Sequence, residues 1–136
     1  MKIAIKKWLE YARADLEAAE ILTNHPRSRH SYQLAILHCH QAIEKILKTV
    51  IVLNKGEVYK IHDLVRILEL SNLKPSREFR EYIKEINVHY QPSRYPDINY
   101  QGKSLKYDYN KENVFYNLKK TQKLFLWIEK KIMSIK

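Results

Sequence analysis

The sequence predicts an all-α fold, an up-and-down antiparallel bundle of four main helices with one short helix added. Three observations lead there. Apolar residues recur at spacings of three and four along most of the chain, the repeat of one helical face. Only two glycines and four prolines stand among 136 residues, too few turn-formers for a many-stranded sheet protein. Hydrophobic residues make up 45% of the chain, enough for one core at a length typical of one domain, so residues 1–136 are read as a single helical domain.

The first helix is expected from about Lys2 to Thr23, where Ile5, Trp8, Leu9, Ala12, Leu16 and Ala19 form its apolar face. Asn24-His25-Pro26 ends it, because proline has no N–H to continue the ladder and restricts the residue before it. Ser28 is the candidate cap of the second helix, whose stripe of Tyr32, Ala35, Ile36, Cys39, Ile43, Ile46, Leu47 and Val50 runs to a stop at Asn54-Lys55-Gly56. Leu34 and Leu37 lie off that stripe, so this helix is apolar on more than one face and a second subunit is expected against it. Cys39 lies inside the stripe and reads as packing material.

A short third helix is placed from Ile61 or His62 to about Leu70, with Asp63 favouring its dipole. Asn72 to Ser76 forms a turn, and Ser76 caps a fourth helix from Arg77 to Tyr90 carrying Phe79, Ile83, Ile86 and Tyr90. The pattern lapses from Gln91 to Asn110, a connection long enough to be either pinned by its tyrosines or functional. The last helix starts at about Lys111, with Val114, Leu118, Thr121, Phe125, Ile128 and Ile132 as a bundle face.

Lys and Arg total 25 against 15 Asp and Glu, a formal charge of +10 that favours polyanions such as nucleic acid or an acidic protein surface. The lysines are spread along the chain, which argues against a dedicated DNA-binding patch. A single cysteine excludes an intrachain disulfide and a four-cysteine zinc site, and a reducing cytoplasm suits it. The charged N-terminus lacks the apolar run of a signal peptide, and the longest apolar stretch, Val50 to Leu53, is far too short to span a bilayer, so no membrane association is expected.

His38 and His40 point roughly 200° apart on a helix and cannot share a metal. His40, Glu44 and Lys48 sit at successive turns and are expected to form a helix-surface network. No metal or cofactor site is read from the sequence. The sharper constellation is Glu85, His89, Tyr90, Arg94, Tyr95 and Asp97: Glu85 and His89 share a helical face, and a proline-bounded loop follows with an arginine and a carboxylate. An arginine and a histidine together bind phosphate, and with a carboxylate they support acid or base chemistry. Salt bridges and turn hydrogen bonds would explain the same residues without a ligand. His89 and Arg94 are the candidate catalytic pair, and Lys84, Arg94, Tyr95 and Asp97 the candidate phosphate or nucleotide contacts.

Four segments taken in order carry a resemblance: Trp8 to Ala19 (WLEYARADLEAA), His38 to Lys48 (HCHQAIEKILK), His62-Asp63-Leu64, and Tyr90 with Arg94-Tyr95-Pro96-Asp97. Together they resemble the HEPN domain, the higher eukaryote and prokaryote nucleotide-binding domain. The resemblance implies a helical bundle of four main helices plus a short one, commonly dimeric. It also implies either a binding component that accompanies a small nucleotidyltransferase as a toxin and antitoxin pair, or a metal-independent ribonuclease. The ribonuclease branch places an arginine a short interval before a histidine near the fourth helix, and two copies meet across a dimer. His89 is the residue nearest to that histidine. Lys84 stands where the shortest interval would put the arginine, and Arg80 lies too far back. Lysine supplies charge without the planar guanidinium fork.

The expectation is therefore a homodimeric module that binds a nucleotide, RNA or a nucleotidyltransferase partner. A metal-independent endoribonuclease toxin is the alternative, and a purely structural dimer docking through its tyrosine-rich loop is the third. Composition alone forces no enzymatic reading.

Overall fold

The computed structural model describes residues 2–96, 101 and 108–135. Among the described residues it contains five helices and no strand: α1 (Ile3–Asn24), α2 (His30–Lys55), α3 (Leu64–Ser71), α4 (Arg77–Asn87) and α5 (Lys111–Ser134). No helix among the described residues is long and apolar enough to cross a membrane.

The helix ends follow from local chemistry. Gly56 closes α2 in the left-handed conformation at φ 69°, which costs glycine nothing, and its N–H bonds the carbonyl of Val52. Ser76 accepts from the Phe79 N–H to cap α4, as expected. At the start of α5, Asn110 and Asn113 exchange side-chain and backbone hydrogen bonds in a reciprocal cap. Ser28 does not cap α2. The hydroxyl of Ser31 ties that turn instead, accepting from the N–H groups of Arg27 and Ser28.

Two boundaries differ from the periodic reading. The third helix begins at Leu64, because Asp63 takes the cap position and accepts from Val65 N–H. His62 is thereby left in the extended stretch before the helix. The fourth helix ends at Asn87, three residues short of Tyr90. The Asn87 side chain reaches across to accept from Leu64 N–H and donate to Asp63 Oδ1. Beyond it the backbone winds through tight turns, with His89 N–H on Ile86 and Ser93 N–H on His89. His89 consequently leaves the face it was expected to share with Glu85, whose carboxylate accepts from Tyr116 OH.

α2 is the centre of the packing, in contact with α1, α3, α4 and α5. Its Ile43, Ile46, Leu47, Val50 and Ile51 are buried together with Leu9 of α1, Ile83 and Ile86 of α4, and Leu118, Phe125 and Ile128 of α5. Each such aliphatic side chain contributes roughly 1.5–3 kcal/mol by leaving water. Cys39 is fully enclosed in the same core, and burial pushes its thiol pKa up to about 12. It is packing material and no nucleophile.

Candidate functional site

Because α2 is covered on nearly every side, the polar residues on its remaining face are buried too. His40, Glu44 and Lys48 are 0%, 7% and 6% exposed, so they form no helix-surface network. The stretch before α3 and the turn after α4 close over them. His62 brings its Nδ1 to 3.0 Å from Glu44 Oε2, the oxygen that also accepts from Lys48 Nζ at 3.0 Å. A carboxylate only accepts, so His62 Nδ1 is the donor in this contact.

Tyr90 roofs the cluster. Its ring stacks on His62 with centroids 5.0 Å apart, lies tilted against His40 at 5.3 Å, and carries the Arg94 guanidinium 4.4 Å from its centre. The guanidinium is therefore held over an aromatic ring in a cation–π contact.

Gln41 connects Arg94 to a second cluster. With its amide nitrogen toward Asp15, it donates to Asp15 Oδ1 at 3.1 Å and accepts from Arg94 Nη2 at 3.1 Å. Asp15 also accepts from His38 Nδ1 at 2.8 Å and Lys45 Nζ at 2.6 Å. Burial pushes the Asp15 carboxyl up, but the hydrogen bonds from His38 and Lys45 outweigh it and hold the group below its ordinary range.

The Tyr90 cluster is left incomplete. Among the described residues, the buried side-chain polar atoms without a hydrogen-bond partner are His40 Nδ1 and Nε2, Glu44 Oε1, Ser93 Oγ and Arg94 Nε. All belong to α2 beneath Tyr90 or to the turn that carries Arg94. His40 Nδ1 stands 3.8 Å from Glu44 Oε1, beyond hydrogen-bond range. Asn87 lies beside the ring and favours its protonated form, but its amide is turned to Leu64 and Asp63 and makes no well-formed hydrogen bond to either ring nitrogen. Native interiors leave few such atoms unpaired, and their concentration in one place makes this cluster the candidate site.

The residues singled out in the sequence divide between different surroundings. Arg94 joins the Tyr90 cluster. His89 Nδ1 lies 3.1 Å from Tyr109 OH, and burial lowers its pKa below 6.5. Lys84 is exposed and paired with Glu81 at 3.6 Å. Tyr95 is exposed, and its backbone carbonyl accepts from Gln33 Nε2 at 2.7 Å. Asp97 lies outside the described residues. His40, Gln41, Glu44, Lys48 and His62 were not among the candidate site residues. Their signal was present: a helix apolar on several faces has no solvent side for a ladder at positions 40, 44 and 48.

The open spaces lie elsewhere. A cleft of about 360 Å³ is lined by Lys7, Trp8, Tyr11 and Lys45, and none of the unpaired buried atoms belongs to it. Among the described residues no three His, Cys, Asp or Glu side chains gather as a metal ion requires.

Comparison with known proteins gives the same architecture. No curated protein matches the chain. Among solved structures, TT1696 from Thermus thermophilus is similar with a TM-score of 0.76 and 26% identity, over 96% of this chain and 99% of that one. ST0689, described as an archaeal HEPN homologue, is similar with a TM-score of 0.69 and 24% identity, over 97% of this chain and 99% of that one. The pattern of the HEPN domain matches residues 5–131, the span holding α2, His62, Tyr90 and Arg94, and the chain belongs to the HEPN domain family.

Proposed function

We propose that this chain is a phosphate-reading HEPN module, homodimeric, that binds a nucleotide or the nucleotide-handling surface of a small nucleotidyltransferase partner through Arg94. The observation that carries the reading is the state of Arg94. Its guanidinium lies on Tyr90 and is steadied by Gln41, while Nε keeps no partner among the described residues. A guanidinium ordered before the ligand arrives loses little further entropy on binding, and its planar fork matches phosphate oxygens. The formal charge of +10 draws anions toward the protein. The partner and the toxin and antitoxin setting rest on the family resemblance, and the dimer on that resemblance with the 42% exposure of Leu34.

Calorimetry at low ionic strength with ATP and with short RNA tests the reading. Binding that weakens as salt rises, and falls by about tenfold or more in Arg94→Ala, is the expected result. Unchanged affinity in Arg94→Ala moves the site elsewhere, and absence of binding to either ligand leaves a protein-interaction role ahead.

One observation favours the ribonuclease alternative: burial lowers the His89 pKa, which favours the neutral form a general base needs. Against it, His89 turns to Tyr109 while Arg94 turns to Tyr90 and Gln41. Little or no RNA cleavage in chelator is expected. Robust cleavage that disappears in His89→Ala would instead establish the toxin reading.

A further inference from the structure

His40 Nδ1 and Glu44 Oε1 face each other across 3.8 Å, both buried and both unpartnered. A water is bent, so one bridging the two atoms would need a separation of roughly 4.5 Å, and the 3.8 Å gap is too narrow for a water between them. It is also about 1 Å too long for a bond between them. Such spacing suits two acceptors held apart, a ring nitrogen lone pair against a carboxylate. The one species that fits between them is a proton, after which a small shift closes an ordinary charge-assisted hydrogen bond.

We infer that His40 and Glu44 form a buried proton site that fills when an anion seats on Arg94, so that the protein takes up an anion and a proton together. The inference rests on the reading of Arg94 as the anion-binding group. The groups around the His40 ring decide its charge. Glu44 on α2 favours the protonated form, and Asn87 at the end of α4 supports it. Arg94 after α4 and His62 before α3 oppose it. Lys48 engages the other oxygen of Glu44, and Asp63 is occupied by Asn87. Burial is the strongest influence and holds the imidazole pKa down to about 4. An anion on Arg94 offsets the larger of these two opposing influences. The balance then tips toward a protonated His40 bonded to Glu44, with the proton drawn from solvent.

Sulfate is a suitable probe, because its charge stays constant between pH 5 and 7. Titrating the full chain with sulfate in two buffers of different ionisation enthalpy at pH 5.5 should give different apparent heats, the signature of proton uptake. Affinity should rise by about tenfold from pH 7 to pH 5. In His40→Leu both effects vanish, whereas in His62→Gln the buffer dependence remains, which separates His40 from its exposed neighbour. Nuclear magnetic resonance of the unaltered protein removes any dependence on how the variants fold. At pH 5.5 the His40 ring should move to its protonated position only when sulfate saturates the site. Sulfate binding with equal heats in both buffers and an unmoved His40 ring overturns the coupling and leaves the Arg94 reading standing. Proton uptake that survives His40→Leu and disappears in His62→Gln also overturns it. Absence of sulfate binding at any pH removes the Arg94 reading and the coupling with it.

Discussion

Between α4 and α5, the hydroxyl of Tyr82 lies 2.9 Å from the Asn117 carbonyl, 3.1 Å from Asn117 Oδ1 and 2.8 Å from Thr121 Oγ1. Across the bundle, His40 is just as buried, and among the described residues neither of its ring nitrogens has a hydrogen-bond partner. One fold thus holds two buried polar groups with opposite accounts of their bonds. The Tyr82 group costs little to bury because its desolvation is offset by hydrogen bonds. The His40 group is buried at a cost that no hydrogen bond among the described residues offsets. Burial alone does not distinguish the two groups; hydrogen-bond completeness does.

The comparison is sharpest in stability measurements. Tyr82→Ala deletes a buried aromatic ring together with its bonds and should cost about 3–5 kcal/mol in urea unfolding. A loss under about 1 kcal/mol would show that the α4–α5 contact contributes little.

Acid should act on the other cluster. The folded-state pKa of His40 is lowered from 6.5 to about 4, so the unfolded chain binds more protons between those values. Its contribution is fully present above pH 6.5 and is lost as pH falls toward 4, a drop of about 3 kcal/mol. Asp15 acts in a lower window, because its depressed carboxyl gives a contribution that fades only as pH falls below 3.8. Equilibrium unfolding at steps of pH should therefore show an early loss that His40→Leu removes. An early loss of the same size in that variant would assign it to other histidines.

Conservative substitutions should split in sign. Tyr82→Phe is expected to destabilise by about 1–2 kcal/mol, since it strips bonds from Asn117 and Thr121. His40→Leu is expected to stabilise by about 1 kcal/mol at neutral pH, because it removes two unpaired buried nitrogens at similar volume. Destabilisation of both would mean that His40 finds partners in solution and would collapse the distinction. The smallest effect is expected at Ser93, whose buried hydroxyl is also unpaired. Ser93→Ala should leave the thermal midpoint unchanged or raise it by no more than the equivalent of about 1 kcal/mol.

The fold was legible because its signals are local. Spacing placed α1, α2 and α5 within a residue or two, and Gly56 and Ser76 marked ends that depend only on their own neighbours. The fourth helix was overextended because its stop lies in a tertiary bond. Asn87 turns away to serve Leu64 and Asp63, which periodicity does not register. The site was half legible. Arg94 stood out in its proline-bounded segment, but His40, Glu44 and Lys48 were read as a solvated ladder, since i and i+4 spacing is the same on a wet face and a covered one. What covers them arrives from residues 62, 90 and 94, and helical spacing within α2 cannot foresee it.

The central position of α2 also sets which parts of the molecule open first. With every other helix packed on it, its amides from Cys39 to Ile51 should exchange with deuterium only through global unfolding, the slowest class in the protein. The turn bearing Tyr90 and Arg94 is held by short-range backbone bonds and by Gln33 Nε2 on the carbonyls of Pro92 and Tyr95, and should exchange far sooner. The floor of the Tyr90 cluster is thus the most persistent element of the bundle and its roof one of the least. Access to His40 and Glu44 is set by the lifetime of that turn, and shortening the lifetime would quicken proton entry without loosening the helix beneath.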